Sequence, residues 1–209
     1  MTPSQSIFVV FFAAAITNNI LLTYFLGMCP FLGCSREIRT AVGLGAAVVF
    51  VTTCTAALNW LVYYFFLGKG ALVWLLGSAA ASLDLTYLRF IIFIVVIAAF
   101  VQFVEIVIER VSMRLYYALG VFLPLITVNC AILGVALFMV IREYDFLNAV
   151  AYGAGSGVGW ALAIVAMAGI RERMKRSQVP KGLEGPGITL IIAGIMALAF
   201  MGFSGMIAL

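Results

Sequence analysis

The chain has 209 residues, of which 66% are hydrophobic and only 10% charged, with a formal net charge of +4 and no histidine; its mean hydropathy is +1.22. A water-soluble domain of this length needs far more polar surface, so the composition points to a polytopic membrane protein with no soluble domain left over. The positive balance lies in short clusters between apolar runs, which is a topology signal and gives no reason to invoke a nucleic-acid partner.

A helix crosses the bilayer core with about 20 apolar residues. On that measure six spans are predicted, at roughly 6–34, 40–67, 88–108, 115–141, 146–170 and 188–208. The runs are apolar all round, which suits helices that satisfy their own backbone and excludes a β-barrel, whose strands would alternate. The first run has no basic leader and no small-residue cleavage site, so it reads as a span and not as a signal peptide. It is long, and Gly27, Pro30 and Gly33 surround Cys29 within it. After the second span, Ala71 to Leu83 is apolar but too short to cross and is expected in or near the outer interface.

The third span carries Gln102 and Glu105 on one helix face in an otherwise uncharged run. An acid inside a membrane is by default a functional candidate. Glu105 could handle ions, as a transporter would require, although its place near the cytoplasmic end beside Glu109 and Arg110 also suits an interfacial carboxylate. The fourth span is again long and interrupted, with Pro124, Thr127, Asn129 and Gly134 around Cys130. Gly and Pro loosen the helical ladder, and polar side chains can take up the freed backbone groups. In the fifth span Gly153/Gly157 and Gly155/Gly159 each meet the G-x-x-x-G spacing and are expected to let helices approach closely. Trp160 beside them reads as a packing residue, and Asn18, Asn19, Asn59 and Asn129 as packing residues able to hydrogen-bond across helices.

With six crossings, the first, third and fifth loops hold nine of the twelve basic residues, including Arg36, Arg110, Arg171 and Lys175. The positive-inside rule makes that side cytoplasmic, with both termini outside. Arg171 to Lys181 is then a cytoplasmic anchor, or a docking loop for a soluble subunit that delivers electrons.

The chain also repeats itself. Cys29-Pro30-Phe31-Leu32-Gly33 echoes Cys130-Ala131-Ile132-Leu133-Gly134, Ala41 to Ala46 echoes Ala149 to Ala154, and Ile91, Ala99, Phe100 and Phe103 match Ile191, Ala199, Phe200 and Phe203. Each half, about 6–108 and about 115–208, then holds three spans. An odd number per half means the halves enter the membrane from opposite sides, and functional sites in such folds gather near the midplane. The expected fold is therefore one all-α integral membrane domain over 1–209, built as two inverted three-helix repeats with interrupted helices 1 and 4.

Free cysteine often behaves as a small buried hydrophobe, and Cys34 and Cys54 read that way. Cys29 and Cys130 occupy matching phrases and read as half of a metal site. Two thiolates cannot complete the four-thiolate shell of an iron–sulfur cluster, so a second protein chain would have to supply the rest. A secondary transporter and a mere scaffold are the other readings; a scaffold leaves the paired cysteines unexplained.

Four stretches, Leu26 to Leu32, Gly120 to Ala131, Tyr152 to Trp160 and Gly169 to Arg173, resemble the E-subunit family of the sodium-translocating NADH:quinone reductase. The resemblance continues through Gly182 to Thr189 and Met201 to Gly205 and covers nearly the whole chain. The related family is the A subunit of the Rnf complex, which exchanges electrons between ferredoxin and NAD. Asn18-Asn19 and Cys29-Pro30-Phe31 are similar to the Rnf protein; Gly155 to Trp160 and Gly182 to Thr189 are similar to the quinone reductase and span more positions. The resemblance implies membership of a six-subunit complex in the bacterial inner membrane. It further implies a [2Fe-2S] cluster shared with a homologous membrane subunit, with Cys29 and Cys130 as this chain's ligands. Electrons from NADH would pass through it toward ubiquinone, coupled to sodium transport, while other subunits bind NADH, flavins and quinone. In keeping with that division, the sequence has no dinucleotide-binding glycine fingerprint after a strand.

Overall fold

The computed structural model describes residues 6–67, 88–111, 123–177, 180, 182–183 and 185–203, and every described element is helical. Ala71 to Leu83 lies outside the described residues. Four helices are long and apolar enough to cross a membrane, Ile38–Leu67, Arg89–Arg110, Pro124–Ile141 and Phe146–Met174, and Ile7–Thr17 and Pro186–Met201 are shorter apolar helices. The second, third and fifth predicted spans are thus single long helices. The first and fourth are interrupted, as expected, but not at every expected place: Gly27 falls at a break, Pro30 and Gly33 lie inside the helix Met28–Cys34, and the break at Asn18–Asn19 is one that the glycines and proline around Cys29 do not predict.

The first span runs as α1 (Ile7–Phe12), a π-helical turn (Ala13–Thr17), α2 (Ile20–Tyr24) and α3 (Met28–Cys34). The turn ends where the Asn18 amide reaches back to the Ala13 carbonyl at 2.8 Å. Then come α4 (Ile38–Val62) with its own π-helical end (Tyr63–Leu67) and α5 (Arg89–Val111). The fourth span is α6 (Leu123–Thr127) and α7 (Cys130–Ile141), broken at residues 128–129, and α8 (Phe146–Met174) and α9 (Pro186–Met201) complete the chain.

At the centre α8 packs along α4, and the other contacts come in reciprocal pairs. The first span lies on α8 while α7 lies on α4; α5 packs on α6 and α7 while α9 packs on α2 and α3. The glycines of α8 make this possible on two faces. A Cβ on Gly159 would stand 2.5 Å from the Ala15 carbonyl oxygen, and one on Gly155 would strike the Phe11 carbonyl. On the other face a Cβ on Gly153 would lie 2.7 Å from the Ala56 methyl and 3.0 Å from the Thr52 carbonyl, and Gly157 meets the Thr52 hydroxyl and Val49. The two G-x-x-x-G registers therefore serve two different neighbours.

Polar side chains between these helices are mostly satisfied locally. Thr52 and Thr55 of α4 donate to the Val48 and Val51 carbonyls at 2.7 and 2.6 Å. By contrast, among the described side chains of α5 the buried ones are Phe93, Ile97 and Val101, one residue per turn, while Ile91, Ile94, Val95, Phe103 and Ile106 are exposed. Such a face suits lipid or a partner protein.

Because backbone atoms are the obstacle, Gly155→Ala and Gly159→Ala are each expected to destabilise the fold by about 1–3 kcal/mol through overpacking. Gly169→Ala, in the same helix with no atom within 4 Å of the new methyl, should be neutral or slightly stabilising. Thermal unfolding of the three purified variants distinguishes these outcomes.

Candidate metal centre

A helix that stops inside a bilayer exposes peptide N–H groups that must find acceptors. Asn19 supplies them for α2: its side-chain oxygen accepts from the Leu21 and Leu22 amides at 3.0 and 3.4 Å. Its amide nitrogen donates to the Gly159 carbonyl at 2.7 Å, fastening the break to α8. Asn129 plays the same capping part for α7, accepting from the Ala131 amide at 3.0 Å. Both caps end the phrase Ile-Thr-x-Asn, at Ile16 to Asn19 and Ile126 to Asn129.

After α2 the chain turns through Phe25 and Gly27, both with positive φ, at 54° and 81°. Glycine is required at the second: a Cβ there would stand 2.6 Å from Trp160 Nε1, 2.8 Å from Asn129 Oδ1 and 3.0 Å from the Ala131 methyl. In this conformation the Gly27 N–H donates to the sulfur of Cys130 at 2.9 Å. Cys130 is the first residue of α7 and Cys29 the second of α3. The contact thus brings together two segments about a hundred residues apart in sequence. Both cysteines are exposed, whereas Cys34 is buried and Cys54 half-buried. Cys54 lines an apolar groove of about 640 Å³ between α4 and α5, among Gly43, Ala47, Phe100 and Val104.

The donors around Cys130 suit an anionic sulfur ligand. The Gly27 N–H already points at it, and Cys130 opens the twelve-residue helix α7, whose N-terminal end carries the positive pole of the helix dipole. Asn129 Nδ2 and Trp160 Nε1 are buried donors without a partner among the described residues. Among the described residues no group of three or more His, Cys, Asp or Glu is gathered anywhere. What this chain offers is therefore two exposed thiols, one of which, Cys130, accepts from the Gly27 N–H.

Other residues singled out in the sequence lie elsewhere. Glu105 sits half-exposed on α5, with Gln102 exposed one turn before it, and makes no ion pair among the described residues. Asn59 is fully buried in α4 with neither side-chain atom hydrogen-bonded. Arg171, read as part of a basic anchor, reaches from α8 to the Leu32 carbonyl at 3.0 Å and the buried Ser35 hydroxyl at 2.8 Å. It thereby caps the end of α3, the segment that carries Cys29. Arg173 and Arg176 line a polar crevice of about 570 Å³ with Glu172, Ile38 and Gly169.

The two matching cysteine phrases stand out in the sequence, whereas the capping role of Asn19 and Asn129 does not; the recurring Ile-Thr-x-Asn phrase is the signal that could have found it. Asn19→Ala and Asn129→Ala should each cost about 1 kcal/mol for the lost cap. Asn19→Ala should cost about 1 kcal/mol more, because it also removes the hydrogen bond to the Gly159 carbonyl. Denaturation of the purified variants measures the order.

A family profile described as "Rnf-Nqr subunit, membrane protein" matches residues 7–207. The chain is 54% identical over 195 residues to the E subunit of the Na(+)-translocating NADH-quinone reductase of Nitrosomonas europaea, covering 93% of this chain and 95% of that protein. It is 56% identical over 188 residues to the corresponding protein of Aeromonas hydrophila, covering 90% and 91%, and 54% identical over 196 residues to that of Chlamydia trachomatis, covering 94% and 80%. Matches of this kind over nine-tenths or more of the chain make it a member of the Rnf-Nqr family of membrane-protein subunits.

Proposed function

We propose that the chain serves as the E subunit of a Na+-translocating NADH-quinone reductase and holds half of a [2Fe-2S] cluster inside the membrane. Cys29 and Cys130 are its ligands, and a homologous membrane subunit supplies the other pair. The single observation that carries this reading is the 2.9 Å contact from the Gly27 N–H to the Cys130 sulfur. It joins the Cys29 turn to Cys130, and an N–H aimed at sulfur stabilises a thiolate ligand. The identity to E subunits along more than nine-tenths of the chain supports the complex. Two exposed thiols are half of a four-thiolate shell, which supports sharing with a second chain.

When bound, the cluster supplies a one-electron carrier. The chain's own residues place it: Asn19 and Asn129 hold the helix breaks, Gly27 donates to Cys130, and Arg171 fixes the far end of α3. NADH, flavins and quinone belong to other subunits in this reading. Glu105, half-exposed and without an ion pair among the described residues, enters as a cytoplasmic-side carboxylate.

We also infer that the two halves are inverted repeats with both termini on the periplasmic side of the inner membrane. Reciprocal packing supports this, since the first span meets α8 as the fourth meets α4, and so does the Asn cap recurring at both breaks. Arg171, Arg173, Lys175 and Arg176 share one end of α8, the cytoplasmic end by the positive-inside rule.

Replacing Cys29 or Cys130 by Ser should abolish the intramembrane [2Fe-2S] signal and electron flow to quinone, while Cys34→Ser and Cys54→Ser should leave both intact. Survival of signal and quinone reduction in the Cys29/Cys130 double variant rejects the cluster assignment. For the topology, tags at both termini should be accessible from the periplasm and a Lys175→Cys variant should label only from the cytoplasm. Cytoplasmic termini would contradict it.

A further inference from the structure

We propose that Trp160 is a positioning residue for the electron relay, a role that rests on the cluster reading above. It walls Gly27 into the left-handed turn that keeps the Gly27 N–H on the Cys130 sulfur, and so sets the reduction potential of the cluster that Cys130 ligates.

Trp160 is fully buried, yet its indole N–H has no hydrogen-bond partner among the described residues. An unpaired buried donor destabilises a fold, and a phenylalanine would bury an aromatic ring without it. Tryptophan at this position is therefore explained better by shape. Its Nε1 edge stands 2.6 Å from where a Gly27 Cβ would be, with Asn129 Oδ1 at 2.8 Å and the Ala131 methyl at 3.0 Å closing the other sides. Gly27 is thus clasped between α8 and the start of α7, at φ +81°. From that position its N–H meets the sulfur at 2.9 Å, and bond geometry puts the indole nitrogen within roughly 8 Å of the same sulfur.

The wall itself is anchored. The residue before it, Gly159, lies against the Ala15 carbonyl, and its own carbonyl accepts from Asn19 at 2.7 Å. A connected path runs from the capped break of the first span, through Gly159 and Trp160, to Gly27 and Cys130. A hydrogen bond to a ligand sulfur favours the more negative, reduced cluster and raises its potential. Loosening the wall lets Gly27 leave the sulfur and lowers the potential.

The test is Trp160→Phe in the assembled complex, read as the midpoint of the intramembrane [2Fe-2S] cluster in a redox titration followed by electron paramagnetic resonance. The expected result is an unchanged cluster content and a reduction equilibrium at least about tenfold less favourable, a fall of about 59 mV for one electron. Trp60→Phe, which removes an indole bonded to the Tyr144 carbonyl, should leave the midpoint where it was. An unchanged midpoint in Trp160→Phe with the cluster present overturns the role of Trp160 and leaves the cluster assignment standing. A cluster that survives in the Cys29/Cys130 double serine variant overturns the cluster assignment instead. Should Trp160→Phe fail to assemble, wild-type complex labelled with 15N-glycine decides: pulsed resonance of the reduced cluster should show a coupled glycine nitrogen that supports the bond, and no coupling overturns the proposal.

Discussion

A peptide group left unpaired in hydrocarbon costs several kcal/mol, so a helix can stop in mid-membrane only where something takes over its hydrogen bonds. Here two asparagines do so. Asn19 and Asn129 each follow Ile-Thr-x, and each accepts from the first amides of the next segment. Without these caps the first and fourth spans would gain by running on as straight helices. Cys130 would then lose its place at a helix start and Cys29 its place beside the Gly27 turn.

The Asn19 cap in turn depends on α8. Its alternating glycines present two flat faces, one to the first span and one to α4. Close approach on the first face brings the Gly159 carbonyl within 2.7 Å of the Asn19 amide. The same approach sets Trp160 against Gly27. Packing between helices in a membrane gains little from hydrophobicity and relies on close contact and hydrogen bonds; in this fold both operate at one place. Arg171 adds a third tie, from the end of α8 to the end of α3.

Much of this organisation was legible beforehand for physical reasons. Long apolar runs announce helices that cross a bilayer, and Gly27 near Cys29 and Asn129 near Cys130 announced interruptions, whereas Pro30 and Gly33 stay within α3 and the break at Asn18–Asn19 was not anticipated. The glycine spacing in the fifth span predicted close packing, although not that its two registers meet different helices. Asn19 and Asn129 read as packing residues able to hydrogen-bond across helices; that they cap the breaks depends on backbone dihedrals, which spacing does not give. The matching cysteine phrases also proved geometrically unequal, since Cys130 opens α7 directly after its Asn cap whereas Cys29 lies beyond α2 and a second turn. The Trp160 contact with Gly27 joins residues far apart in sequence, so only the folded arrangement reveals it.

The most direct measurement is anomalous scattering at the iron edge from crystals of the whole complex. The account predicts iron density bonded to the sulfurs of both Cys29 and Cys130 and shared with a second chain, with the Gly27 amide next to the Cys130 sulfur. Iron bonded to neither sulfur, or a cluster whose four ligands all come from other subunits, would contradict it.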